Sequence, residues 1–275
     1  MIIASTPAQL QEALKLLHGD IGLVMTMGAL HDGHLSLVEA ARKESDHVVV
    51  SIYVNPLQFG PGEDFDAYPR DLEADVAKLE GVDVVFAPTD DVMYPRTPLV
   101  RIDPGPVASV LEGKTRPTHF AGVLQVVHKV FNIVGPHAAW FGQKDAQQLA
   151  LIRSMVADLN MPLDIRAVPI KREPSGLAMS SRNSYLSERE KEQALALFRA
   201  LTVGQRVAHD GGSAAQTLAA ARESLAHAPG VKMDYLELVD RDTFMPLTEA
   251  GNGLLVCAAW VGPTRLIDNL EVVIG

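Results

Sequence analysis

Two histidines three residues apart, His31 and His34, bracket Asp32-Gly33 at the end of Thr26-Met27-Gly28-Ala29-Leu30. The apolar run Ile21 to Met25 before them reads as a buried strand, and Leu35 to Arg42 after them has helical periodicity. An imidazole pair at a strand-to-helix junction is placed to meet an anion, because unpaired helix N–H groups and the helix dipole favour negative charge there. Gly33 lets a phosphate approach the main chain, and two imidazoles can donate hydrogen bonds to it. The pattern suits a chain that grips a nucleoside triphosphate without a P-loop, since no G-x-x-x-x-G-K-S/T run occurs. Two other readings stay open on these residues alone: a surface pair at a helix start, and a metal site. Zinc needs a third and a fourth ligand, and no C-x-x-C or H-E-x-x-H accompanies the pair.

Four other segments carry groups of comparable interest. Met179-Ser180-Ser181-Arg182 offers two hydroxyls and a guanidinium in a loop preceded by Gly176, several donors for a polyphosphate. Gly142-Gln143-Lys144-Asp145 follows a strand and opens a helix. There Lys144 can meet a phosphate as a point charge, while Asp145 either accepts from ribose hydroxyls or caps the helix. Asn55-Pro56-Leu57-Gln58-Phe59 ends the second strand, where Gln58 is either a substrate-binding amide or an ordinary loop residue. Arg116-Pro117-Thr118-His119 precedes a helix, with substrate binding and helix capping equally open. The acidic stretch Asp64, Asp66, Asp71, Glu73 and Asp75 reads as a solvated helix start. His128, His137, His209 and His227 form no constellation.

The elements that would position these groups alternate. Strands are expected at 21–26, 47–54, 82–87, 138–142 and 163–170, with helices near 7–18, 34–45, 71–80, 120–135 and 145–160. Near-continuous apolar strands imply burial on both faces, hence a doubly wound parallel sheet of Rossmann-like α/β type with ligands at the strands' carboxyl ends. After Arg172 the pattern changes to a turn, a polar loop, helices near 188–209 and 213–227, and strands near 232–239, 253–261 and 265–273. Ser187 is the expected N-cap of the first of those helices. The expected division is a Rossmann-like domain over 1–175 and a smaller C-terminal α+β lid domain over 176–275, which carries the Ser180–Arg182 loop.

Composition narrows the classes. Of 275 residues 47% are hydrophobic, enough for such a pair of domains, and the net charge of −10 argues against a general nucleic-acid surface. A single cysteine, Cys257, cannot form an internal disulfide, and the N-terminus lacks the basic start and apolar core of a secretion signal. No apolar run reaches membrane-spanning length. A soluble cytoplasmic protein with no membrane or nucleic-acid partner is expected.

Together these segments resemble the pantoate–β-alanine ligase (pantothenate synthetase) family. The match comprises Thr26 to His34, Val50 to Phe59, Arg116 to Val123, Phe141 to Gln148 and Gly176 to Asn183, in order along nearly the whole chain. His-x-Gly-His alone marks only the wider adenylyl-transferring superfamily; the other segments narrow it. The resemblance implies that ATP and (R)-pantoate give pantoyl adenylate and pyrophosphate, after which β-alanine displaces AMP. It implies ATP contacts at Met27, Gly28, Ala29, Leu30, His31, Asp32, Gly33 and His34, at Gly142, Gln143, Lys144 and Asp145, near Lys171, and at Met179, Ser180, Ser181 and Arg182. Of these His34, His31, Lys144, Ser180, Ser181 and Arg182 would act in catalysis. Gln58 and Gln148 would hold pantoate, Gln58 would also line the β-alanine site, and Asn55, Arg116 and His119 join the expected substrate residues. A homodimer and magnesium are implied as well. Some relatives place a metal-linked acidic cluster early in the helix after Tyr-Pro-Arg, but here Ala74 and Lys78 stand at two of its positions. No protein metal ligands are therefore assigned, and magnesium would ride on the ATP phosphates. The rival readings are another HxGH nucleotidylyltransferase and an ATP-binding module without catalysis.

Overall fold

The computed structural model describes residues 1–275. It divides into two compact units, Met1–Gln143 with Leu151–Pro169, and Lys144–Ala150 with Ile170–Gly275. The expected boundary at 175/176 thus falls inside the second unit, which takes up the chain again at Ile170.

The first unit holds six strands: β1 (Ile2–Ala4), β2 (Ile21–Thr26), β3 (His47–Ile52), β4 (Val84–Phe86), β5 (Ala138–Gly142) and β6 (Asp164–Val168). All pairings are parallel, in the order β1-β4-β3-β2-β5-β6. Val48, Val49 and Val50 are all buried although neighbours on a strand face opposite ways, so both sheet faces are covered. Around it lie α1 (Pro7–Leu14), α2 (Asp32–Glu44), α3 (Leu72–Val76), α4 (Asp90–Met93), α5 (Glu112–Thr115) and α6 (His119–Val134). Val24, Val50 and Val85 pack with Leu37, Val38 and Ala41 of α2. From β2 the chain builds outward to β3 and β4, then returns to build β5 and β6 on the other side. In doubly wound sheets ligands bind beyond the carboxyl ends of the strands at such a reversal, which here falls between β2 and β5. The loops leaving β2 at Met27 and β5 at Gln143 start there.

α7 (Ala146–Asp158) crosses the division of the chain. In the second unit α8 (Glu188–His209) and α9 (Ala214–Ala226) cover an antiparallel sheet, β7 (Val231–Asp240), β8 (Gly251–Val261) and β9 (Thr264–Ile274). Leu197, Leu201, Ala221 and Leu225 meet Leu236, Leu255 and Cys257 in its core. Ser187 caps α8 as expected, in a capping box with Glu190.

Several elements differ from expectation: the one-turn helices α4 and α5 were not expected, α1 ends at Leu14 rather than near 18, and two further differences concern β1 and α3. β1 was not expected: it is three residues long and sits at the sheet edge with Ile2 and Ile3 exposed, so its apolar run is too short to mark a strand. The helix expected over 71–80 is regular only over Leu72–Val76. Beyond it Lys78 N–H bonds Asp75 O and Leu79 N–H bonds Val76 O, the tighter i to i+3 pattern that closes a helix.

Candidate active site

At the carboxyl end of β2 the backbone turns through Gly28 and Ala29, with φ of 84° and 51°. Both lie in the left-handed region, which glycine enters freely and alanine does not. The turn is fastened from outside: Asp75 Oδ2 accepts Ala29 N–H at 2.9 Å and Oδ1 accepts Leu30 N–H at 2.7 Å, while Lys78 Nζ donates to Leu30 O at 2.7 Å. Asp75 is 3% exposed, so reading it as part of a solvated acidic stretch is corrected; Asp71, by contrast, caps α3.

His31 is the N-cap of α2. Its Nδ1 accepts Gly33 N–H at 3.1 Å, and His34 Nδ1 accepts the His31 N–H at 3.4 Å. This is a capping box built from imidazoles, with ring centroids 4.2 Å apart. A nitrogen that accepts from an amide carries no proton, so each neutral ring holds its proton on Nε2, at the edge opposite the cap. Gly28 and the helix amides were expected to receive a phosphate; four main-chain N–H groups of this turn and helix start have partners within the chain. The N–H groups of Gly28, Ala29, Leu30 and Gly33 already bond Thr26 Oγ1, Asp75 and His31.

The loop after β3 carries the amides. Gln58 is 8% exposed; its Nε2 donates to Met27 Sδ at 2.7 Å, and its Oε1 accepts from Asn55 Nδ2 at 3.3 Å. Asn55, 1% exposed, also donates to Gly122 O, and its Oδ1 accepts from Leu57 N–H and Tyr94 Oη. Burial pushes the Tyr94 phenol well above its ordinary pKa, so the donor persists at any working pH. Arg116 and His119 converge on the same loop. His119 Nδ1 donates to Gln58 O at 2.9 Å, and its Nε2 accepts from Arg116 Nη1 at 3.1 Å. Both side chains hold the Gln58 main chain through its carbonyl. Arg116 is fixed in turn by Glu63, at 2.7 and 2.6 Å. Tyr94, Glu63, Asp75 and Lys78 are site-supporting residues that sequence reasoning missed, because their partners lie far away in the chain.

Burial raises the Glu63 carboxyl, but the Arg116 hydrogen bond and charge more than offset it, leaving the pKa below its ordinary value of 4.5. A depressed carboxyl stabilises the fold fully above that ordinary value and loses the contribution as pH falls through the folded-state value. The stability difference between wild type and Glu63→Gln should therefore be constant above about pH 5 and shrink in more acid solution. Denaturant unfolding across that range checks it; a difference independent of pH contradicts the pairing.

In the second unit, Met179 N–H bonds Lys171 O and Glu173 N–H bonds Leu177 O, closing a hairpin around Gly176. Asn183 Nδ2 ties its far arm at Ala178 O, and Ser180 Oγ accepts Arg182 N–H at the start of the following turn. Arg172 forms two bonds to the buried Asp268 carboxylate, 2.7 and 2.8 Å, and its guanidinium lies 3.9 Å from the Phe198 ring centroid. Asn269, next to Asp268, donates to Lys144 O at 2.9 Å. One network thus places the main chain of Lys144 and the arm that carries Met179, Ser180, Ser181 and Arg182. Asp145 lies in the 3₁₀ turn before α7, and half-buried Gln148 lies in that helix's first turn.

Residues 2–271 match the family model for pantoate–β-alanine ligase. The chain belongs to the pantoate–β-alanine ligase family. It is 53% identical to the pantothenate synthetase of Acidothermus cellulolyticus over 278 residues, covering 98% of this chain and 91% of that one. It is 54% identical to that of Nocardia farcinica over 275 residues, covering 98% and 85%. Among solved structures, pantothenate synthetase from Thermus thermophilus superposes with a TM-score of 0.94 at 47% identity, covering 98% of this chain and 99% of that one. The Francisella tularensis ligase, complexed with beta-gamma ATP and β-alanine, gives 0.81 at 36%, covering 98% and 97%. The ligase joins pantoate to β-alanine, and these similarities do not favour the rival readings. The ligase has no helix long and apolar enough to cross a membrane.

Proposed function

We propose that the ligase works in two steps through a pantoyl adenylate, with His31 and His34 as donors to the ATP phosphates. The observation that carries this is the imidazole capping box, in which the Nδ1 atom of each ring accepts a main-chain N–H and leaves Nε2 as the protonated nitrogen. The Francisella tularensis relative's complex with beta-gamma ATP and β-alanine supports ATP as co-substrate.

In the first step a pantoate carboxylate oxygen attacks the α-phosphorus and pyrophosphate leaves. A carboxylate is ionised at neutral pH, so no base is needed. The difficulty is bringing an anion to an anion, and positioning with charge stabilisation supplies the acceleration. His31 and His34 donate where charge develops, and Lys144, Ser180, Ser181 and Arg182 meet the outer phosphates and departing pyrophosphate. Met27 to Leu30, Asp32 to Gly33, Gly142, Gln143, Asp145, Lys171 and Met179 complete the nucleotide contacts. Gln58 and Gln148 bind pantoate, with Asn55, Arg116 and His119 fixing Gln58. In the second step the neutral amine of β-alanine attacks the acyl carbon, the bond from that carbon to the bridging oxygen breaks, AMP leaves with that oxygen, and the proton lost from the amine passes to solvent.

Magnesium enters as the counter-ion of ATP. No three His, Cys, Asp or Glu side chains group to hold an ion, and both oxygens of buried Asp75 are engaged by amides. No step is routed through a protein-bound metal. We propose also that the ligase is a cytoplasmic homodimer that binds no nucleic acid. This rests on its family, its net charge of −10 and the apolar pair Leu99–Val100, 81% and 80% exposed.

Pantoate labelled with heavy oxygen in its carboxylate tests the route. One labelled oxygen should appear in AMP, and pyrophosphate should form with β-alanine omitted. Unlabelled AMP, or pyrophosphate release independent of pantoate, overturns it.

A further inference from the structure

We propose that Asp75 and Lys78 are positioning residues for the adenylation step, together holding the Gly28–Leu30 turn in the one conformation that presents His31 and His34. The proposal rests on the two-step reading above. Successive amides in a left-handed turn point into one concavity that binds an anion. In this turn the anion is the protein's own: the Asp75 carboxylate accepts both the Ala29 and the Leu30 amide. A carboxylate 3% exposed is costly to bury unless its oxygens are bonded, and charge-assisted bonds to amides are among the stronger ones. Lys78, three residues on, holds the Leu30 carbonyl, so both polar groups of one peptide residue are gripped from a single stretch of chain.

The grip sits where the chain most needs it. Ala29 at φ 51° relaxes to an extended conformation unless its surroundings forbid it. Leu30 is followed directly by His31, whose main-chain N–H is the bond that orients the His34 ring. Any rotation at Ala29–Leu30 therefore moves both imidazoles. A Cβ at Gly28 would lie 2.9 Å from Asp75 Oδ2, so glycine there permits the carboxylate's approach as well as the backbone angle. The clamp also accounts for a phosphate site built on side chains: the turn's amides are spent internally, and their contribution is to fix the rings.

The test compares Asp75→Ala, Asp75→Asn, Lys78→Met and Lys78→Arg in the full chain. It reads pantoate-dependent pyrophosphate release without β-alanine, thermal unfolding, and the ring-nitrogen NMR signals of His31 and His34. Asp75→Ala should lower adenylation about 100-fold, as small displacements of catalytic groups do. Asp75→Asn should fall between, since one acceptor oxygen remains. Lys78→Met should lose about 10-fold and Lys78→Arg should recover most of it. The pantoate KM should stay unchanged, because Gln58 is held by other residues, and the shared pattern of bare Nδ1 and protonated Nε2 should be lost in Asp75→Ala. Should Asp75→Ala fail to fold, the exposed Lys78 pair decides. Lys78→Met with wild-type adenylation and ring signals overturns the proposal, as does a loss that Lys78→Arg does not rescue and that follows thermal stability. If wild type itself releases no pantoate-dependent pyrophosphate, the two-step reading fails and the ring signals alone judge the clamp.

Discussion

Replacing His34 with alanine should lower pantoate-dependent pyrophosphate release by about 10²–10³-fold, the usual cost of one donor aimed at developing charge. The same change removes the acceptor for the His31 amide, a capping interaction worth about 1 kcal/mol. The two effects separate with a second variant. Glutamate at the third helical position restores a capping box and complements the helix dipole, so His34→Glu should regain the lost stability. It also sets a negative charge where phosphates are proposed to bind, so its adenylation should fall below that of His34→Ala. A stable His34→Glu with activity near wild type would show that the imidazole serves only the helix.

Gly122→Ala should damage the pantoate side. Gly122 lies inside α6, where alanine is intrinsically preferred over glycine by about 1 kcal/mol. Propensity alone predicts a more stable protein. The structure predicts the reverse, because a Cβ at this position would fall well inside contact distance of the Leu57 carbonyl and lie 2.6 Å from Gln58 N. These are backbone atoms and cannot swing aside. Overpacking of this kind costs about 1–3 kcal/mol. The strain is delivered to the loop that carries Gln58, and Gly122 O is the acceptor for Asn55 Nδ2. The pantoate KM should rise by about 10- to 100-fold, the scale of a small misplacement, with the ATP KM little changed. Thermal unfolding and steady-state kinetics check both parts. A more stable variant with unaltered pantoate KM would mean that α6 and the Gln58 loop are not in this close contact.

How much of this was legible in the sequence depends on the distance over which each residue acts. β2 and β3 are continuous apolar runs whose burial is written in their own residues, and the histidine pair announces itself by spacing within one junction. β1 has only three residues at a sheet edge and could not be read. Asp75 looked like one acidic residue among several. Its role depends on Leu30, 45 positions earlier, and no local pattern encodes that pairing. Arg116 and His119 stood out by residue type before a helix, but their bonds to the Gln58 carbonyl, 58 and 61 positions away, belong to tertiary structure. Similarly the Arg172–Asp268 pair spans 96 positions, and nothing near Lys144 in the sequence points to Asn269 as the residue that holds it.

The central claim is that the two capping imidazoles hold the triphosphate of ATP. A crystal structure of the ligase with a non-hydrolysable ATP analogue tests it most directly. The account predicts phosphate oxygens within about 3 Å of Nε2 of His31 and His34, with both Nδ1 atoms still accepting from main-chain amides. Phosphates bound elsewhere, or rings turned so that Nε2 caps the helix and Nδ1 faces the ligand, would contradict it.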